Sequence, residues 1–181
     1  MLIFACKNEV FIMEFQQVLN QRFSVREFEQ KMVEDEKINE MLKAAQLAPT
    51  AKNSQPQKIY VVKSDEAMTK FRQCTKCHFD APIGFIICYD ENQSFLGKDG
   101  RQFGVLDASI VTTYMMLKAT ELGLGTTWVG LFDAKLTQQL FGLPQNVVPL
   151  AFLPTGYPKE GCQPNPRHFD NKPLDETTEW L

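Results

Sequence analysis

Apolar residues recur at helical spacing in five stretches of the chain and cluster in β-rich runs in four others. Phe15, Val18 and Leu19 open the first helical pattern. The periodicity predicts helices at about 14–22, 34–48, 65–73, 104–122 and 133–141. Pro49 stops the second of these. Asp133 is placed to cap the fifth, and Gly142 with Pro144 closes it. The runs KIYVVK (58–63), IGFIICY (83–89), TTWVGL (126–131) and VPLAFLP (148–154) predict strands. No repeat or long linker separates these elements, so the expectation is a single α+β domain, a small mixed or antiparallel sheet packed between helices.

Two segments hint at association. The pattern at 104–122, with Val105, Leu106, Ile110, Val111, Tyr114, Met115 and Leu122, leaves few polar positions on any face. A helix apolar nearly all round is buried on all sides, which in a domain of this size predicts a partner subunit over one of them. The tail, about 157–181, holds four prolines and ends near Trp180. It is too irregular for core and predicts a segment that wraps over a neighbouring surface. At the other end, residues 1–12 precede the first helical pattern and are expected to be an appendage. Lys7, Asn8 and Glu9 interrupt their apolar run, and there is no basic leader, so they make a poor export signal.

Charge and composition narrow the function. A formal net charge of -3 gives no basic excess to neutralise phosphates, against a general nucleic-acid binder. No apolar run approaches the ~18 residues of a membrane span. Five cysteines, an odd number without regular spacing, predict free thiols in a reducing cytoplasm.

Two of those cysteines lie in CTKCH, residues 74–78. The spacing is that of covalent haem attachment, a redox dithiol or half a zinc site. The context opposes each. Helix 65–73 ends at the motif, so Cys74 meets the negative end of the helix dipole rather than the activating N-terminal end. Zinc would need a fourth ligand from His168, Cys88, Cys6, Cys162 or a carboxylate. A polar loop that happens to hold two cysteines is the simpler expectation.

Three other stretches carry better chemistry. In RFSVREF (22–28), an extended backbone puts Arg22, Ser24 and Arg26 on one side and Phe23 and Val25 toward the core. Two guanidiniums flanking a hydroxyl suit a phosphate, and equally a solvated strand face. APTAKNSQPQ (48–57) consists of small and amide residues. Asn53 and Gln55 each offer a donor and an acceptor to a heterocycle edge, and Pro56 is expected to hold Gln55 extended. An ordinary helix-to-strand loop would read the same way. In GLGTTWVGLFD (123–133), Gly123 ends a helix, Gly125 permits a tight turn and Gly130 admits a ligand to the backbone. It is not a dinucleotide fingerprint, because the spacing differs and a helix precedes it. Trp128 reads as core.

Taken in order, RFSVR, APTAKNSQPQ, GLGTTWVG, NPRH and KPLDE resemble the nitroreductase family of flavin enzymes from about Met13 to the end. The resemblance implies a homodimer with FMN at the subunit interface and NAD(P)H as transient reductant. It implies phosphate-side contacts from Arg22, Ser24, Arg167 and Lys172, with Phe23 in the place of a second arginine. Arg26 would meet the flavin N1/O2 edge. Pro49, Thr50, Ala51, Asn53 and Gln55 would come from the other subunit, and the backbone of Val129, Gly130 and Leu131 would lie at flavin N5. Gln57 stands where the family commonly has tryptophan. The implied activity is ping-pong hydride transfer to a nitroaromatic, quinone or similar acceptor, with no acid–base residue required. A flavin carrier or sensor without turnover is the alternative, and a cysteine-based metal or thiol redox protein the third.

Overall fold

The computed structural model describes residues 13–181; the expected appendage at 1–12 lies outside the described residues. Five helices and four strands follow in the order α1 (Phe15–Gln21), α2 (Asp35–Leu47), β1 (Gln57–Val62), α3 (Asp65–Cys74), β2 (Ile83–Asp90), α4 (Gly104–Glu121), β3 (Gly125–Thr126), α5 (Ala134–Phe141) and β4 (Val147–Gly156). The strands form one antiparallel sheet in the order β1-β2-β4-β3.

The sheet lies between two helical layers, and β2 shows why. All eight of its residues are buried, as a strand covered on both faces requires. Its period of two sends Ile83, Phe85 and Ile87 into a cluster with Met41 and Ala45 of α2 and Val111 and Met115 of α4. Ile86 and Cys88 face the opposite cluster, with Phe71 of α3 and Phe152 of β4. There Phe71, Phe152 and Phe132 stack in series, with ring centroids 4.4 Å and 4.8 Å apart.

Helix ends follow local chemistry. Ser64 caps α3 by accepting from Ala67 N, and Asp133 caps α5 by accepting from Leu136 N at 2.9 Å. Gly142 ends α5 in the left-handed conformation, φ 61. Where β4 gives way to the tail, the Tyr157 hydroxyl donates to Glu34 Oε2 at 2.6 Å and holds that carboxyl down to about 2.

One expectation changes. The predicted strand 126–131 shrinks to Gly125–Thr126, followed by an isolated bridge between Val129 and Phe152. Its partner β4 carries Pro149 and Pro154, which have no N–H to give a ladder. A bulge interrupts the β2–β4 register beside Pro149. Helix α4 leaves one side open within the protomer, the side over which a partner subunit is expected. Asp107, Ala108, Val111, Thr112, Met115 and Ala119 face inward, but Val105, Leu106, Ile110 and Tyr114 are 42%, 39%, 39% and 39% exposed. On that outer side Ser109 and Thr113 turn their hydroxyls back to the carbonyls of Val105 and Ser109, which leaves the stripe apolar. Among the described residues no helix is long and apolar enough to cross a membrane.

Candidate functional site

Arg22 closes α1 through its backbone N–H to Val18 O, and the chain then runs extended against the end of the sheet. Ser24 forms a parallel bridge with Thr126, and Val25 N donates to Thr126 O at 3.0 Å. The Thr127 hydroxyl donates to Val25 O. Gly125 is needed here for space rather than for a turn, since a Cβ on it would lie 2.5 Å from Val25 Cγ2. The segment is clamped by backbone, so its side chains have a fixed origin.

Those side chains converge with the tail. Phe23, Ser24 and Arg26 line a cavity of about 280 Å³ together with Asn165, Arg167 and His168. Arg22 lines the adjoining recess, which shares Arg167 and His168. The expected alternation holds only partly: Val25 is buried, but Phe23 turns toward the cavity while packing against Val25 and Phe28. Three guanidiniums and, among the described residues, no carboxylate line the two recesses. Among the described residues none of the three makes an ion pair. In a chain of net charge -3, unneutralised cations gathered this way could hold a phosphate dianion.

The turn Pro166–Phe169 places Arg167. Asn165 caps it, its side chain accepting from Arg167 N at 3.0 Å. Asn165 and His168 lie beside the cavity although the sequence reading assigned them no part in it; the Asn-Pro pair before Arg167 was the available signal of a side-chain-capped turn. Lys172 is not brought to the cavity, and its nearest charge partner is Glu176 at 3.9 Å.

The second segment lies elsewhere. After Pro49, residues Ala51–Asn53 make a single 3₁₀ turn. Gln55 is not extended as expected before proline: its φ is 47. Its N–H is drawn to Thr50 Oγ1 at 3.1 Å, which closes the turn on itself. Asn53 and Gln55 are exposed, available to a ligand or a partner. Ala51 N donates to Asp107 in the first turn of α4. The arginine segment pairs with Thr126, past the other end of that helix. From Asp107 to Glu121 the helix rises about 20 Å. Within one protomer, Asn53 and Gln55 are therefore separated from the arginines.

The third segment explains the cysteine motif. Thr75, inside CTKCH, donates its hydroxyl to Leu131 O at 2.7 Å and accepts from Cys77 N. Asp133 N donates to Cys74 O. The pentapeptide is the bracket that holds residues 131–133. Cys74 is the last residue of α3 and buried; burial raises its thiol pKa, with the Asp133 charge adding to the effect against a hydrogen bond from Thr137. Such a thiol is a poor nucleophile and metal ligand. Beyond this bracket Val129 is buried against the sheet, Leu131 is 77% exposed, and a Cβ on Gly130 would meet nothing within 4 Å. Trp128 packs against the core, as expected. Cys74→Ser and Cys77→Ser are expected to leave turnover within about twofold, with a lowered melting temperature for Cys74→Ser because a hydroxyl enters an apolar cluster. A large loss of turnover, or stoichiometric zinc by elemental analysis, would restore the reactive reading.

A four-stranded antiparallel sheet between helical layers, with arginine-lined recesses at its end, defines an α+β fold. The sequence pattern of the nitroreductase family matches residues 19–82 and 74–157. A relative from Archaeoglobus fulgidus, named provisionally as an NADH dehydrogenase/NAD(P)H nitroreductase, is 32% identical over 77% of this chain and 82% of its own length. The crystal structure of a nitroreductase family protein from Clostridium difficile 630 superposes with a TM-score of 0.87 at 35% identity, covering 93% of this chain and 98% of that one. An FMN-dependent nitroreductase from Clostridium difficile R20291 gives 0.72 at 28% identity, over 84% and 93%. The chain belongs to the nitroreductase family and is an oxidoreductase.

Proposed function

We propose that the protein is an FMN-dependent NAD(P)H oxidoreductase acting on nitroaromatics, quinones or similar acceptors. The observation that carries this reading is the gathering of Ser24 and Arg26 in one cavity and Arg22 in the recess adjoining it, with Arg167 lining both and no carboxylate among the described residues of either. Arg22, Ser24 and Arg167 would hold the phosphate, and Arg26 would meet the electron-rich pyrimidine edge of the ring. FMN, when bound, would supply the hydride-relay chemistry that connects NAD(P)H to the acceptor, both using one place in ping-pong order. The chain's own part is to bind, orient and shield. Gly130 and Leu131 present backbone where a bulky, fixed side chain would bar the nicotinamide.

The active unit is proposed to be a homodimer. The apolar stripe on α4, with Val105, Leu106, Ile110 and Tyr114 all exposed along one face, suits burial against a second copy. The separation of the Asn53–Gln55 turn from the arginines supports a site completed by a second copy. Phe169, Leu174 and Trp180 of the tail are also exposed, in keeping with a segment that reaches across its partner. Among the described residues Cys74, Cys77, Cys88 and Cys162 are free thiols, which suits a reducing cytoplasm.

The purified protein is expected to be yellow and to release FMN into the supernatant on acid precipitation. Steady-state NAD(P)H oxidation should then depend on added quinone. A colourless protein that takes up no FMN would remove the reading. Flavin that binds but is not reduced by NAD(P)H would leave a carrier.

A further inference from the structure

Asp107 is buried, at 2% exposure, in the first turn of α4. Its Oδ1 accepts the backbone N–H of Ala51 at 2.8 Å. Among the described residues this is the one hydrogen bond that joins residues 50–55 to another element of the fold. The turn's remaining hydrogen bonds are internal: Asn53 N to Thr50 O, Ser54 N to Ala51 O, Gln55 N to Thr50 Oγ1, and the Gln55 side-chain amide Nε2 to Asn53 O.

The turn needs an external hold. Lys52, Asn53 and Gln55 have φ of 57, 55 and 47, three left-handed residues without a glycine among them. Such a backbone persists only where its surroundings over-determine it. The side chains it displays, Asn53 and Gln55, owe their direction to that conformation.

The polar surroundings converge on the same corner. Four buried side-chain oxygens among the described residues have no hydrogen-bond partner: Ser54 Oγ, Gln57 Oε1, Ser94 Oγ and Asp107 Oδ2. Gln57 opens β1 opposite Tyr89, whose ring lies against Gly104 at the start of α4. Ser94 follows Asp90, to which its N–H donates. Uncompensated oxygens are retained at a cost, and here they gather where the turn meets α4 rather than being scattered through the core.

We infer that Asp107 is a positioning residue: its carboxylate pins Ala51 and thereby holds the left-handed turn that presents Asn53 and Gln55 to the flavin ring. This rests on the FMN reading and extends it to a residue that touches no cofactor. The ring, not the phosphate, feels Asp107. Its loss should therefore weaken FMN and riboflavin by one common factor, whereas loss of a phosphate contact should weaken FMN alone.

The test is flavin affinity by fluorescence titration of the full-length apoprotein, with melting temperature and circular dichroism as checks on folding. Asp107→Ala should raise both dissociation constants by about tenfold or more. Asp107→Asn, which keeps an acceptor oxygen for Ala51 N, should stay within about threefold of the unaltered protein. Ala51→Pro deletes the donor from the other side. Proline is accommodated at the first position of a helical turn, and Thr50 is already extended at φ -132 and ψ 155, as the residue before proline must be. This variant should match Asp107→Ala, and the double variant should be no worse than either single one. A folded Asp107→Ala protein with unchanged affinities overturns the inference, as do losses that simply add, or an asparagine variant as weak as the alanine one. Should Asp107→Ala fail to fold, Ala51→Pro and Asp107→Asn decide alone. An unaltered protein that takes up neither flavin would instead overturn the FMN reading beneath it.

Discussion

Replacing Ile110 with glutamate is expected to yield a colourless monomer. Ile110 lies mid-stripe on the outer face of α4, between Leu106 and Tyr114, one turn from each. In the free protomer a glutamate there would be solvated. In the proposed dimer it would be buried without a partner, at a cost of at least about 3 kcal/mol. A two-fold interface carries each substitution twice, so the dissociation constant should rise by about four orders of magnitude. The interface itself should exceed ~2,000 Å² and be largely hydrophobic. Flavin should be lost with the dimer, because neither protomer alone brings Asn53 and Gln55 to the arginines. Deleting the residues after Lys172 should lower dimer and flavin content together. Sedimentation at low micromolar concentration reads both, by mass and by visible absorbance. A monomer that stays yellow would sink the shared site.

The second large effect is on the phosphate. Arg22→Ala is expected to weaken FMN binding by about 1.5–3 kcal/mol, roughly 10- to 150-fold, by removing one charge-assisted contact. Riboflavin, which has no phosphate, should bind as before. The comparison matters, since a general disturbance of the α1 end would weaken both ligands. Equal FMN affinity in the variant would take Arg22 out of the site. A parallel Arg167→Ala variant should behave alike, because Arg167 lines both the cavity and the adjoining recess.

Most of the scaffold was legible because periodicity and capping agree along the chain. The predicted helix 133–141 is found as Ala134–Phe141 because Asp133 and Gly142 do locally what their residue types favour. Strand 83–89 is found as Ile83–Asp90, its apolar run long enough to be covered on both faces. The run at 126–131 misled, because strand length there depends on β4, whose prolines limit the ladder. No local pattern in one strand reports its partner's missing donors. In the candidate site, the common side of Arg22, Ser24 and Arg26 was legible from spacing, whereas Arg167 came only through the family resemblance. The left-handed state of Gln55 was not, because it is imposed by a hydrogen bond to Thr50. Asp107 was hidden for a related reason: inside an apolar helix, a single carboxylate takes its meaning from a backbone N–H some fifty residues away in the chain.

The two glycines at the end of the sheet differ in what they leave open to change. At Gly125 an added Cβ lies within 3 Å of all three of the Val25 side-chain carbons, whereas at Gly130 it meets nothing within 4 Å. For the fold, substitution is therefore cheap at 130, and at the exposed Leu131 beside it, and costly at 125. A library randomising positions 130 and 131 should retain folded protein across most of its members. The same library at 125 should lose most of its members to misfolding before any acceptor is tried. Within six residues the chain keeps one position closed to innovation and another open to it.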